Sequence, residues 1–217
     1  MLKVPGDTSD KVFDWLSDAI IRGEFAPGEK LNEPKIARLL AISRGPVREA
    51  VRRLEEKYLV VRTPQQGARV ILPSEKALLE LFTLREALEG VAAAEAARHI
   101  EPDEAVQLRH LLDEPSPSAY AEGGEPRTPD FHIFIAKVSR NEMLFKLLCV
   151  DYYKLLMFYR RKYNSIFHRP AHVHLEHRRI AEAIINRDAT VAELLMRRHI
   201  ADARNELLSN MATLRGA

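Results

Sequence analysis

The segment Ser43–Glu55 reads SRGPVREAVRRLE and decides the fold of the N-terminal part of the chain. Its apolar residues recur at the three- and four-residue spacing of a buried helix face: Val47, Ala50, Val51 and Leu54. Ser43 is a suitable N-cap, and Pro46 falls in the first turn, where its missing N–H costs little. The segment therefore predicts a helix that begins at Ser43 and ends near Tyr58.

The residues on either side predict two more helices and a hairpin. An apolar stripe over 12–20 indicates a first helix, and Asn32 can cap a short second helix. Beyond Tyr58, two β-like runs at 59–62 and 68–72 enclose a turn that contains proline and glycine. The order helix, helix, helix, hairpin predicts a winged helix-turn-helix.

The remainder of the chain has a helical pattern. Pro73 and Ser74 mark a domain boundary, and the segment 114–129 is rich in Pro, Gly and Ser, as expected of a loop. Helices are predicted at 75–100, 102–113, 129–139, 141–162, 170–187 and 189–214. The fold class is therefore mainly α: a winged helix-turn-helix over 1–72, then an all-α antiparallel helical bundle over 73–217.

Charge is distributed unevenly along the 217 residues. Residues 34–69 hold nine lysines and arginines and three acids, a net charge of +6, whereas 73–217 carries −1. All eight histidines lie beyond residue 98. No apolar run approaches the roughly 18 residues of a spanning helix, and the start lacks a signal peptide's apolar stretch. We expect a cytoplasmic protein without membrane contact, with separate basic and histidine-rich regions.

Three arginines of the third helix suit a DNA major groove. Arg44, Arg48 and Arg52 are spaced i, i+4, i+8, on the face opposite the apolar stripe. Arginine pairs bidentately with guanine, while the helix N-terminus and the Ser43 hydroxyl favour phosphate. Gly45 permits close approach to the duplex. The alternative is a solvated arginine face, but the order of elements around this helix favours DNA binding.

The stretch 20–70, with its run SRGPVREAVRRLE, resembles the DNA-binding domain of GntR-family regulators. The resemblance implies that Arg44 and Arg48 contact bases or phosphates. It also implies DNA-backbone contacts at Ser43 and Gly45 and insertion of Gly67, at the hairpin tip, into the minor groove. Pro34 departs from the family, which often has a polar or arginine side chain there, so that contact is lost or passed to Lys35.

The C-terminal region resembles the FCD-type helical effector-binding domain of FadR-like GntR regulators. Four segments carry the resemblance: LFTLREALE at 81–89, PDFHIFIA at 129–136, EHRRIAEAI at 176–184 and RRHI at 197–200. In that family a helical cavity often holds a divalent metal through one aspartate and three histidines. The resemblance places the histidines at His132, His177 and His199 and implies zinc, nickel or manganese.

The position of the family aspartate is Thr128 in this chain. Thr-Pro-Asp at a helix start reads as N-cap, N1 and N2, which would commit the hydroxyl to the backbone. Asp130 is rotated by about 200° from His132 on an ideal helix. Three histidines still suffice for zinc if water or an effector carboxylate fills the fourth position. The alternative is a polar cavity lined by three neutral histidines.

Arg85 and Asn141 are the candidate effector-binding residues. Arg85 lies within an apolar helix face, and a buried arginine needs an acidic partner. It either clamps an effector carboxylate, as the family resemblance implies, or forms a salt bridge to Glu89 or another acid. Asn141 matches a family asparagine near the pocket and is equally suited to cap the next helix. His168, His172 and His174 are interpreted as solvated.

These observations predict a homodimeric regulator, of repressor type, that binds double-stranded operator DNA and is not an enzyme. A small organic acid beside the metal would change the separation of the two DNA-reading heads. Two alternatives stay open: a metalloenzyme that acts through water bound by three histidines, and a DNA-binding dimer without a ligand.

Overall fold

The structure is a computed structural model that describes residues 8–113, 131–162 and 172–216. Within these ranges lie ten α-helices, a π-helical segment and a two-stranded sheet. The helices are α1 Ser9–Ile21, α2 Glu33–Leu40, α3 Arg44–Glu56, α4 Glu75–His99, α5 Pro102–Asp113, α6 Phe131–Val138, α7 Glu142–Phe145, α8 Tyr153–Lys162, α9 His172–Ile185 and α10 Ala189–Gly216. The strands are β1 Val60–Thr63 and β2 Gly67–Val70, and the π-helical segment is Lys146–Asp151.

The described residues form two compact units. The N-terminal unit holds the chain up to Ser74 together with Tyr152–Lys162, and the C-terminal unit holds the rest. No described helix is both long and apolar enough to cross a membrane.

The N-terminal unit is a winged helix-turn-helix, as predicted. Helix α3 packs against α1 through its apolar stripe, whose members are fully buried: Val47, Ala50, Val51 and Leu54. A left-handed residue, Ala41 with φ 54°, ends α2 and turns the chain toward α3. Strands β1 and β2 pair antiparallel, with Val60 opposite Val70 and Thr63 opposite Gly67.

The C-terminal unit is helical, as predicted, and its longest helices α4 and α10 pack against each other. From Gly90 onward the buried residues of α4 are small: Gly90, Ala92, Ala93, Ala94, Ala96 and Ala97. At Gly90 there is no room for a side chain, because a Cβ there would lie 2.6 Å from Cγ of Arg197. Helices α6 and α9 also pack on α4.

The single helix predicted at 141–162 is wrong. The chain forms α7, the π-helical segment and α8 in succession, and α8 belongs to the N-terminal unit. There Lys154 pairs with Asp14 at 3.1 Å, and Tyr152 stacks on Tyr58 with ring centroids 6.4 Å apart. Contacts with residues so distant in the chain leave no trace in helical periodicity. The predicted loop at 114–129 and the predicted helix starts at 129 and 170 lie outside the described residues.

The two caps of the helix-turn-helix differ. Oδ1 of Asn32 accepts a hydrogen bond from the Lys35 amide at 3.0 Å. Ser43 has the extended backbone of an N-cap, φ −70° and ψ 163°, but its hydroxyl makes no capping hydrogen bond to α3. Asn32 therefore stabilises its helix directly, and Ser43 does not.

We expect Asn32→Ala to lower the free energy of unfolding of the N-terminal unit by about 1 kcal/mol. Ser43→Ala removes no capping bond and should change it by less than about 0.5 kcal/mol. Urea unfolding followed by Trp15, the one tryptophan of the chain, measures both. Equal destabilisation by the two changes would show that Ser43 caps α3 in solution.

Candidate DNA-binding face and candidate metal centre

The solvent face of α3 presents the arginines that the sequence singled out. Arg44, Gly45, Arg48 and Arg52 are exposed, on the side opposite the buried apolar stripe. In the described part of the chain, Arg44 and Arg48 take part in no ion pair, so both guanidinium groups face solvent uncompensated. This exposed pair at the start of α3 is the strongest concentration of unpaired positive charge on that helix.

Arg52 differs from the other two arginines. Its guanidinium binds Glu49, with Nη2 to Oε1 at 2.6 Å, and also binds Glu56. The hydrogen bond and the charge of Glu49, followed by the charge of Glu56, raise the pKa of Arg52 above its ordinary value. The same hydrogen bond lowers the pKa of Glu49. The charge of Arg52 is therefore balanced within its own helix.

The remaining predicted DNA contacts lie at the start of α2 and at the hairpin tip. Lys35 is exposed in the first turn of α2. Gly67 has φ +81°, a conformation that side chains rarely adopt. A Cβ at Gly67 would lie 3.4 Å from Cε of Lys30, which places the exposed Lys30 beside the tip. Lys30 could not be identified from the sequence, because its isolated bridge to Arg69 of β2 is too short to produce a strand pattern.

Three helices of the C-terminal unit bring three histidines together. His132 on α6, His177 on α9 and His199 on α10 each offer a ring nitrogen, and these nitrogens lie within 4.8 Å of one another. Nε2 of His177 and Nε2 of His199 are 3.2 Å apart. The ring of His177 stacks on Phe131, with centroids 4.1 Å apart. The arrangement is a compact cluster of imidazole donors in a largely buried place.

Two carboxylates bind the outer ring nitrogens of this cluster. Nδ1 of His132 lies 2.6 Å from Oε2 of Glu89 on α4. Nδ1 of His199 lies 2.7 Å from Oε2 of Glu176 on α9. The sequence singled out Glu89 only as a possible partner of Arg85, and it did not single out Glu176. Each contacts a histidine of another helix, so only the packing of the helices brings the partners together.

Arg85 forms the salt bridge to Glu89 that the sequence left open as one of two roles. Its Nε lies 2.6 Å from Oε1 of Glu89, and both side chains are less than 10% exposed. Burial alone would raise the pKa of Glu89, but the charge of Arg85 and the hydrogen bonds from His132 and Arg85 outweigh burial and hold the pKa well below its usual range. The guanidinium of Arg85 is thus already paired with an ionised carboxylate.

Asn141 serves as the N-cap of α7, the second role that the sequence left open. Its Oδ1 accepts a hydrogen bond from the Leu144 amide at 3.0 Å, and the residue is exposed. His172 and His174 are exposed, in keeping with the solvated interpretation. Thr128, Asp130 and His168 lie outside the described residues.

Two family models match this chain in tandem. Residues 8–70 match "Bacterial regulatory proteins, gntR family", and residues 80–202 match "FCD domain". The chain belongs to the GntR family. As a GntR regulator with an FCD domain, it is a DNA-binding transcription regulator and not an enzyme, so the metalloenzyme alternative is set aside.

Curated relatives of this GntR regulator are similar along nearly their whole length. The HTH-type transcriptional repressor GlaR of Escherichia coli (strain K12) is 31% identical over 207 residues, which cover 89% of this chain and 92% of GlaR. The HTH-type transcriptional regulator LutR of Bacillus subtilis (strain 168) is 31% identical over 210 residues, covering 87% and 95%. Both halves of the GntR architecture are therefore present.

Solved structures agree with the fold. A putative GntR transcriptional regulator from Rhodococcus sp. RHA1 matches with a TM-score of 0.65 and 25% identity, over 93% of this chain and 97% of that one. E. coli McbR/YncC matches with a TM-score of 0.64 over 100% and 99%, and its 20% identity supports the fold alone.

Proposed function

We propose that this GntR regulator acts in the cytoplasm as a homodimeric repressor of operator DNA, and that a small organic acid beside a divalent metal in the FCD domain controls it. The sensing part of this proposal rests on the imidazole cluster of His132, His177 and His199, which two carboxylates contact. The repressor GlaR is a relative along nearly its whole length, which supports the sign of regulation.

The DNA-reading half uses the exposed face of α3. Arg44 and Arg48 are available for bidentate contacts to guanine or for phosphate. The Ser43 hydroxyl, which does not cap its helix, is available for a phosphate oxygen, and Gly45 allows close approach. Lys35 and Gly67 add contacts at α2 and the wing. Two heads in a dimer imply a pseudo-palindromic operator, with half-sites about one helical turn apart.

The imidazole donors of the FCD domain suit a divalent metal ion. Imidazole nitrogens suit zinc and nickel, and manganese prefers more oxygen ligands. His132, His177 and His199 would hold the ion, and water or an effector carboxylate would complete its coordination. We place the domain boundary at residue 72, with DNA reading in 1–72 and sensing and dimerisation in 73–217. The family matches over 8–70 and 80–202 support this division, although α8 packs with the N-terminal unit.

Charge links the metal to the acid. The charges of Arg85 and Glu89 oppose each other in a buried pair. A divalent cation held by the three histidines would add positive charge to the cavity and attract an anion. Arg85 is paired and cannot by itself supply the attraction. The effector is therefore an anion whose binding depends on the metal.

We expect Arg44→Ala and Arg48→Ala each to weaken operator binding by roughly 10- to 100-fold, because each removes an uncompensated guanidinium. Arg52→Ala should cost about fivefold or less, because Arg52 is balanced by Glu49 and Glu56. Fluorescence anisotropy with labelled operator DNA measures the affinity of each variant. Arg98→Ala, in the C-terminal unit, is the control for removing an exposed arginine. An effect of Arg52→Ala equal to that of Arg48→Ala would contradict the assignment.

Protein purified without chelator or histidine tag should contain near-stoichiometric metal by elemental analysis, and His177→Ala should lose it. Calorimetric titration with carboxylates from acetate to citrate should detect binding to the metal-loaded protein and none after chelation. Binding that survives chelation would contradict the metal dependence. Operator binding unaffected by every acid would favour a DNA-binding dimer without a ligand.

A further inference from the structure

We infer that Glu89 and Glu176 are positioning residues of the metal centre, and that each fixes the tautomer and the orientation of one histidine ligand. The inference rests on the proposed metal site. Arg85 belongs to the same network. It holds Glu89 in position and does not contact the effector directly. Two helices, α4 and α9, thereby contribute groups that do not touch the metal position but determine how the histidines face it.

Glu89 determines the orientation of His132. A neutral imidazole carries one proton, and an ionised carboxylate only accepts hydrogen bonds. Oε2 of Glu89 lies 2.6 Å from Nδ1 of His132, and this contact favours the tautomer with the proton on Nδ1. In that tautomer the lone pair of His132 lies on Nε2, the ring nitrogen that would bind a metal.

Glu176 acts in the same way on His199. Its Oε2 lies 2.7 Å from Nδ1 of His199, and this contact favours the tautomer with the proton on Nδ1 and the lone pair on Nε2. That Nε2 faces Nε2 of His177 at 3.2 Å. Glu176 directly precedes His177 in α9, so one short segment supplies both a metal ligand and the group that orients another ligand.

Arg85 completes the network from the far side of Glu89. Its Nε binds Oε1 at 2.6 Å, so the carboxylate cannot turn away, and Oε2 stays directed at His132. Arg85 and Glu89 are one turn apart on α4, which makes the pair independent of any other helix. Loss of Arg85 should therefore weaken metal binding.

The test is the zinc affinity of the full-length protein, measured by competition with a chromogenic chelator. Glu89→Gln and Glu176→Gln keep the side-chain shape and remove the charge, and each should weaken zinc binding by roughly 10- to 100-fold. Arg85→Met should weaken it as well. Glu95→Gln on α4, where Glu95 lies 3.7 Å from Nδ1 of His99 away from the cluster, and Glu182→Gln on α9 are matched controls and should bind zinc like the wild type.

A second measurement needs no variant of the site. Long-range ¹H–¹⁵N NMR spectra of the metal-free wild type should show His132 and His199 as Nδ1–H tautomers, which a merely structural role of the glutamates would not require. The Nε2–H tautomer at both residues would overturn the inference, as would unchanged zinc affinity in both glutamine variants. A wild type that binds no zinc would overturn the proposed metal centre and this inference with it, so the two failures are distinct.

Discussion

The buried ion pair between Arg85 and Glu89 is the interaction on which the C-terminal site depends. An unpaired charge inside a helical core costs several kcal/mol, so each of the two residues stabilises the other there. Because both lie on α4, the pair forms wherever that helix forms. It leaves the second carboxylate oxygen of Glu89 for His132. A requirement of packing thus becomes a requirement on the orientation of His132, a proposed metal ligand.

The small residues of α4 impose a second constraint, on the distance between α4 and α10. Gly90 follows Glu89 directly, and Arg197 lies half a turn before His199 on α10. The absence of a Cβ at Gly90 lets the two helices approach at this level. His199 of α10 lies close to His177 of α9 and to His132 of α6. The histidine cluster is a product of helix spacing as much as of three suitable side chains.

The sequence sufficed for features that depend on neighbours in the chain and not for those that depend on packing. The stripe at Val47–Leu54 and the glycine turn before β2 follow from local periodicity and backbone preference. The family motifs located the three histidines. Glu176 could not be found in this way, because its histidine partner lies 23 residues along the chain on another helix. Arg52 pairs with two acids of its own helix, Glu49 and Glu56. The equal spacing of the three arginines does not reveal this difference, because it depends on the side-chain conformations.

The two sites are built differently, and the difference bears on regulation. The arginines proposed to read DNA belong to a single helix, α3, and their exposure is set by its own sequence. The sensing site needs α4, α6, α9 and α10 at once, so a ligand that tightens or loosens their packing changes the site itself. A ligand shifts an equilibrium only by its different affinity for the two states. This division favours a mechanism in which the acid changes how the α3 face is presented to the operator, while the chemistry of that face stays the same.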